Sequence, residues 1–104
     1  MNNHLLNVIK GISSISCPHK INLHCHTTFS DGSLSPEKLI EQACSIKLSH
    51  IAITDHHSID SYRRVINWTR ITQLSPANVP RIWPGIEVSC LICGCLVHII
   101  GLGF

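Results

Sequence analysis

The chain has 104 residues, 44% of them hydrophobic and 13% charged, enough for one small domain with a core and too few for two. Its formal charge is only +2 and its Lys and Arg are scattered, so no DNA-binding patch or basic backbone groove is evident. The compositional excess is histidine, with eight residues, and histidine is the commonest metal ligand.

Residues 1–20 have no sustained period and contain Gly11, three serines and Pro18, so they read as an N-terminal tail or loosely packed lead-in before a domain over residues 21–104. Ile21 to His26 alternates as a strand, with Asn22, His24 and His26 on one face and Ile21, Leu23 and Cys25 on the other. A turn-rich loop from Thr27 to Ser35 holds Asp31-Gly32. Ser35 then caps a helix that opens with Pro36 and Glu37 and runs to about Lys47, its stripe being Leu39, Ile40, Ala43, Cys44 and Lys47. His50 to Thr54 is a short buried strand. A second helix is expected from about Ile59 to Ile71, with Ile59, Tyr62, Ile66 and Thr69 on one side, ended by a loop with Ser75-Pro76 and Val79-Pro80. Gly85 to Leu91 and Cys95 to Leu102 read as two strands joined tightly at Cys93-Gly94. Strand, helix, strand, helix, strand begins a parallel α/β architecture, in which ligands sit at the carboxyl ends of the strands.

The six cysteines, Cys17, Cys25, Cys44, Cys90, Cys93 and Cys95, come without a secretory pattern, because Lys10 and polar residues interrupt the early apolar stretch. They are expected to be reduced thiols in a soluble cytoplasmic protein. The longest apolar run, Leu91 to Phe104, contains His98 and glycines and falls short of the roughly 18 residues of a span, so no membrane partner is expected. Cys90 and Cys93 form a lone C-x-x-C without the second pair that a structural zinc ribbon needs.

The polar clusters fall at the predicted strand ends. His24 and His26, two apart on a strand, have Cα atoms about 7 Å apart and imidazoles on one side, close enough to share a metal. An isolated H-x-H is more often a solvent-facing strand edge. Asp31 before Gly32 is equally compatible with a turn aspartate bonding its own backbone, and Asp55 and His56 with the cap of the next helix. Glu87 lies between Ile86 and Val88, where a buried carboxylate needs a cation or donors to compensate it. His98, inside an apolar strand, divides evenly between a hydrogen-bonded core residue and a ligand.

Taken in order, H-x-H, S-D-G, T-D-H, G-I-E and a later strand histidine resemble the PHP family, named for polymerase and histidinol phosphatase. The first family motif, D-L-H-x-H-T-x-x-S-D-G, aligns with Asn22-Leu23-His24-Cys25-His26-Thr27-Thr28-Phe29-Ser30-Asp31-Gly32. Ile53-Thr54-Asp55-His56 resembles its second motif and Pro84-Gly85-Ile86-Glu87 its third. Pro84-Gly85-Ile86-Glu87-Val88-Ser89 and His98-Ile99-Ile100-Gly101-Leu102 look closest to the RNase AM branch, the nucleoside 3′,5′-bisphosphate phosphatases. The resemblance implies the N-terminal half of a distorted, TIM-like β/α barrel, truncated, with residues 21–104 a partial PHP domain. It implies a hydrolase of phosphoric esters acting on 3′,5′-bisphosphonucleotides or the 5′ ends of short RNA, with up to three divalent metals, typically manganese, with zinc or iron as alternatives.

Carried over by position, His24 and His26 would bind one metal. Glu87 would bridge it to a second that His98 also binds, and Asp31 with His56 would hold the third. Asp55 would orient its neighbours. The sequence departs from the family pattern at Asn22, in place of an aspartate beside the first metal, and at His57, where the branch often has Asp or Asn. The family's second-half histidine and C-terminal D-x-H pair have no counterpart in the 104 residues. The alternatives are a histidinol-phosphatase or polymerase-type PHP domain, and a non-catalytic remnant or metal-binding half-domain.

Overall fold

The computed structural model describes residues 3–11, 20–72 and 79–104. Its elements in chain order are α1 (Asn3–Lys10), β1 (Ile21–Cys25), α2 (Pro36–Ser45), β2 (His50–Ile53), α3 (Asp60–Ile71), β3 (Arg81–Ile92) and β4 (Cys95–Leu102). The strands make one sheet in the order β1-β2-β3-β4, with β1, β2 and β3 parallel and β4 antiparallel to β3. Each parallel step is bridged by a helix and each new strand is added on the same side, which is how the wall of a β/α barrel grows. The expected α/β half-barrel is therefore present, and its distortion is β4, which turns back on β3 instead of following through another helix.

Local chemistry accounts for these elements. Ser35 is extended and its Oγ accepts from the Lys38 amide at 3.2 Å, with Pro36 at the first helical position, so α2 starts where its cap dictates. It stops two residues short of the expected Lys47. Lys47 takes a left-handed φ of 60°, its amide donates to the Cys44 carbonyl at 3.1 Å, and the Leu48 amide donates to the Ala43 carbonyl at 3.0 Å. That is a Schellman closure with lysine where glycine is usual, accompanied by burial of Leu48. β3 starts earlier than predicted because Arg81 to Pro84 pair with His50 to Ile53. Pro84 is tolerated there: its carbonyl accepts from the Gly103 amide at 2.8 Å, so its missing N–H falls just beyond β4. The β3–β4 turn has Cys93 at φ 51° and Gly94 at φ 79°, the paired left-handed residues of a two-residue hairpin.

Two cores flank the sheet. On the helix side Ile40, Ala43, Leu48, Ile51, Ile53, Val65 and Ile82 pack together. On the other side Leu5, Ala52 and Trp83 are buried, with Ile9, Leu23 and Leu102 against them. Three expectations are corrected here. Residues Asn3–Lys10 are no loose lead-in: they form α1, whose Leu5 is fully buried against the inner core. Leu5 and Ile9, four residues apart, both meet that core, but one such pair is too short to register as a sustained period. The buried residues of α3 are Ser61 and Val65, one turn apart, with Tyr62 and Ile66 only flanking, because the Ser61 hydroxyl is drawn inward to Asp55. β1 does not alternate strictly: Asn22 pairs with Ile51 and Cys25 with Ile53, so three steps on β1 face two on β2. This bulge puts Leu23 in the inner core and Cys25 in the helix-side core.

The described cysteines Cys25, Cys44, Cys90, Cys93 and Cys95 are free thiols. Cys17 and the predicted Ser75-Pro76 loop lie outside the described residues. Among the described residues no helix is long and apolar enough to cross a membrane. Leu5→Ala is expected to lower the unfolding free energy by about 2–3 kcal/mol, as cavity-forming core substitutions do, while Leu6→Ala on the exposed side of α1 should cost under about 0.5 kcal/mol. Urea melts followed by circular dichroism measure both.

Candidate metal centre

The bulge aims the first two histidines. Asn22 Oδ1 accepts from the His24 amide at 3.1 Å, so the asparagine secures the irregular backbone instead of standing beside the imidazoles as the motif comparison implied. The loop after His26 folds back at once: the Gly32 amide donates to the Thr27 carbonyl at 2.8 Å. A Cβ on Gly32 would lie 2.3 Å from the His26 carbonyl oxygen, so only glycine lets the loop rest on the His26 main chain. That closure brings Asp31 over the strand ends. At the end of β2, His56 forms a bridge with Glu87, and the His57 amide donates to the Glu87 carbonyl at 2.9 Å. His57 is left-handed at φ 56°, and its Nε2 accepts from the Ser89 amide at 3.4 Å, where the parallel ladder has run out of carbonyls. The β3–β4 register sets His98 opposite Ser89.

Glu87 is the convergence point. His24 Nε2 and His26 Nε2 approach Glu87 Oε1 at 2.8 and 3.0 Å, and they approach each other at 3.3 Å. His98 Nδ1 lies 3.1 Å from Oε2 and His56 Nδ1 4.0 Å from it. Asp31 joins from above, with Oδ2 3.1 Å from His56 Nε2 and Oδ1 3.4 Å from His26 Nδ1. The six side chains resolve into three overlapping triads, His24/His26/Glu87, His56/Glu87/His98 and His26/Asp31/His56, and within each triad the donor atoms lie within 4.8 Å of one another. Glu87 is only 5% exposed. Burial pushes its carboxyl up, but the His24 hydrogen bond and the charges of His24, His56 and His26 outweigh this and hold it below the usual glutamate value.

This donor set fits a cation. First-row metal bonds to imidazole and carboxylate of about 2.0–2.2 Å place neighbouring donors roughly 3 Å apart. The 2.8, 3.0 and 3.3 Å edges of the first triad have that spacing. Two imidazole nitrogens facing each other across 3.3 Å otherwise need a proton between them. Cys25, between the two histidines in sequence, does not join the donors: burial first, and the charge of Asp55 second, push its thiol up to about 12, and it donates to the Ala52 carbonyl at 3.2 Å.

Asp55 has a different role. It is 1% exposed and sits beneath the loop, in none of the triads. Its Oδ1 accepts from the Thr27 amide and the Ser30 hydroxyl, both at 2.6 Å, and its Oδ2 from the Thr27 hydroxyl at 2.6 Å and from Ser61 Oγ. Burial raises its pKa, but the donors Ser30, Ser61 and Thr27 outweigh that and lower it overall. The carboxylate ties the first motif loop, the second motif and α3 together. Thr27, Ser30, Ser61 and Ser89, whose hydroxyl lies 3.0 Å from His98 Nδ1, were not singled out from sequence. Their signal is only positional, a hydroxyl within a few residues of each ligand-type side chain.

The PHP domain profile matches residues 22–99. The chain belongs to the PHP domain family. Among its relatives, the protein named 5′-3′ exoribonuclease Rnm of Salmonella typhimurium is 34% identical over 84 residues, covering 78% of this chain and 26% of the relative. This PHP chain thus spans about a quarter of the length of that relative. A structure from Bifidobacterium adolescentis, assigned as a metal-dependent phosphoesterase, superposes with a TM-score of 0.67 at 27% identity over 82% of this chain and 28% of its own. An amidohydrolase from Chromobacterium violaceum, determined with bound sulfate and no metal, gives the same TM-score at 29% identity, over 80% and 27%.

Two outcomes test the scaffold of this PHP centre. Asp55→Asn removes the negative charge on which an amide and three hydroxyls converge, and should cost about 3 kcal/mol in a urea melt. Because the folded pKa of Asp55 is lowered, the carboxylate's stabilisation is present above the unfolded value of about 3.9 and lost as pH falls through the folded one. The gap between wild type and variant should therefore narrow on acidification below about pH 4. Gly32→Ala should lower the melting midpoint and broaden the His26 and His56 resonances in NMR, since the loop must lift from the His26 backbone.

Proposed function

We propose that this chain carries part of a phosphoesterase centre that hydrolyses phosphate esters of nucleotides, either 3′,5′-bisphosphonucleotides or the 5′ ends of short RNA. The observation that carries this reading is the buried carboxylate of Glu87 engaged by imidazoles from three separate segments, with Asp31 closing the set. In the assignment we propose, His24 and His26 hold one divalent ion and Glu87 bridges it to a second shared with His98. Asp31 and His56 hold a third, with His26 and His56 each lying within reach of two positions. Such ions, with manganese the first candidate, would supply Lewis acidity that offsets phosphoryl charge and makes water acidic enough to act near neutral pH.

The chain's own residues do the positioning. Glu87, held ionised, keeps the triads in register, and Asp31 closes the mouth from the loop side. Asp55 fixes the His26 and His56 backbones without touching a ligand. The exoribonuclease name of the Salmonella relative supports a nucleic-acid phosphate substrate, and the Chromobacterium structure holds a bound sulfate, an anion of the same shape as phosphate. The free thiols accord with a cytoplasmic setting, which we also propose.

The purified chain should show a Mn-dependent rise in thermal midpoint, because an ion that binds only the folded form stabilises it. Glu87→Gln should weaken Mn affinity by at least about tenfold and remove that rise. Phosphate release from adenosine 3′,5′-bisphosphate should depend on added Mn and vanish in the variant. A wild-type midpoint that ignores Mn would sink the assignment.

A further inference from the structure

Phe29 is 40% exposed in the loop between His26 and Asp31. Two chain steps put its Cα no more than about 7.6 Å from that of Asp31. The ring is not bare on both sides: the Arg64 guanidinium carbon lies 5.5 Å from its centroid. Arg64 Nε in turn donates to Glu37 Oε1. Glu37 is in the first turn of α2 and Arg64 near the start of α3. In β/α units the helix starts lie at the same end as the strand carboxyl ends, so ring, guanidinium and carboxylate lie at the end of the sheet where the His26–Asp31 loop crosses the Glu87 centre.

Glu37 offsets the charge of Arg64, which makes this cluster a poor second anion site. What it offers is a flat aromatic surface with a planar cation behind it and water in front. The backbone beneath is fixed, since the Phe29 amide donates to Thr27 Oγ1 at 3.1 Å and neighbouring Ser30 is bonded to Asp55. An immobilised ring of this kind takes a planar ligand at little ordering cost, and cation-backed aromatics are the general platform for unpaired nucleobases.

We propose that Phe29, backed by Arg64, is a specificity-determining contact that stacks the base of the nucleotide whose phosphate sits at the Glu87 centre. This rests on the nucleotide phosphoesterase reading and adds that the end being processed is unpaired and that any base is accepted, because every base has a face to stack.

The test is calorimetric binding to the full chain with Mn, using adenosine 3′,5′-bisphosphate and inorganic phosphate as separate probes. Wild type should bind the nucleotide more tightly than phosphate. Phe29→Ala should weaken the nucleotide by roughly 5- to 100-fold and leave inorganic phosphate unchanged, whereas Phe29→Trp should stay within about twofold of wild type for both. Hypochromism of the adenine band on binding should be lost in the alanine variant alone. Equal weakening of both probes would mean that the ring only shapes the loop, and an unchanged nucleotide affinity would mean that no base stacks there. Either outcome overturns the proposal while leaving the phosphoesterase reading intact. Wild type that binds neither probe in a Mn-dependent way overturns that reading and this one with it.

Discussion

A carboxylate withdrawn from water inside a strand is tolerable only when donors or cations surround it, and Glu87 imposes that requirement on the whole sheet. The elements that meet it come from distant parts of the chain. The β1 bulge turns His24 and His26 inward, the end of β2 extends far enough to bring His56 alongside, and the β3–β4 hairpin returns His98. The hairpin contribution depends on parity. A one-residue slip in its register would move His98 to the opposite face of the ribbon, so the tight Cys93-Gly94 turn sets the centre as much as the side chains do.

A second buried carboxylate lies beneath this one, and the contrast between them divides the labour. Asp55 accepts from an amide and three hydroxyls, two donors on each oxygen, which leaves it little capacity for a ligand. Glu87 faces imidazoles, each of which can turn a ring-nitrogen lone pair to a cation. Two acidic residues of similar burial thus become a fastener and a coordination point through the chemistry of their neighbours.

Much of this was legible in the sequence because it depends on local rules. The Ser35-Pro36-Glu37 start of α2, the βαβαβ order, the Cys93-Gly94 turn and the six converging ligand-type side chains all follow from spacing and motif. The rest depends on tertiary contacts. Helix α1 is held by Leu5 and Ile9, with the His4 ring edge-on to Trp83, against residues far along the chain, and a pair of apolar positions is too short to stand out as a period. The inward face of α3 was misplaced because a serine counts as polar until a buried aspartate makes it a core residue. The β1 bulge breaks the alternation that the residue pattern predicts, where Asn22 Oδ1 accepts from the His24 amide. The Lys47 and His57 left-handed residues were likewise hidden, since both stand where glycine or asparagine would have announced the geometry.

The strand at the margin of the sheet has a consequence for what can pair with it. Among the described residues β4 pairs on one side only, and Leu96, Ile99 and Ile100 along it are exposed, as are Leu91 and Ile92 on the adjoining ribbon. A border of this composition carries neither proline nor lysine to discourage intruders, so its open row of amides and carbonyls can template an extended segment from another molecule. The eight residues of β4, His98 among them, are therefore the place where a further strand would meet the sheet and the polar cluster together.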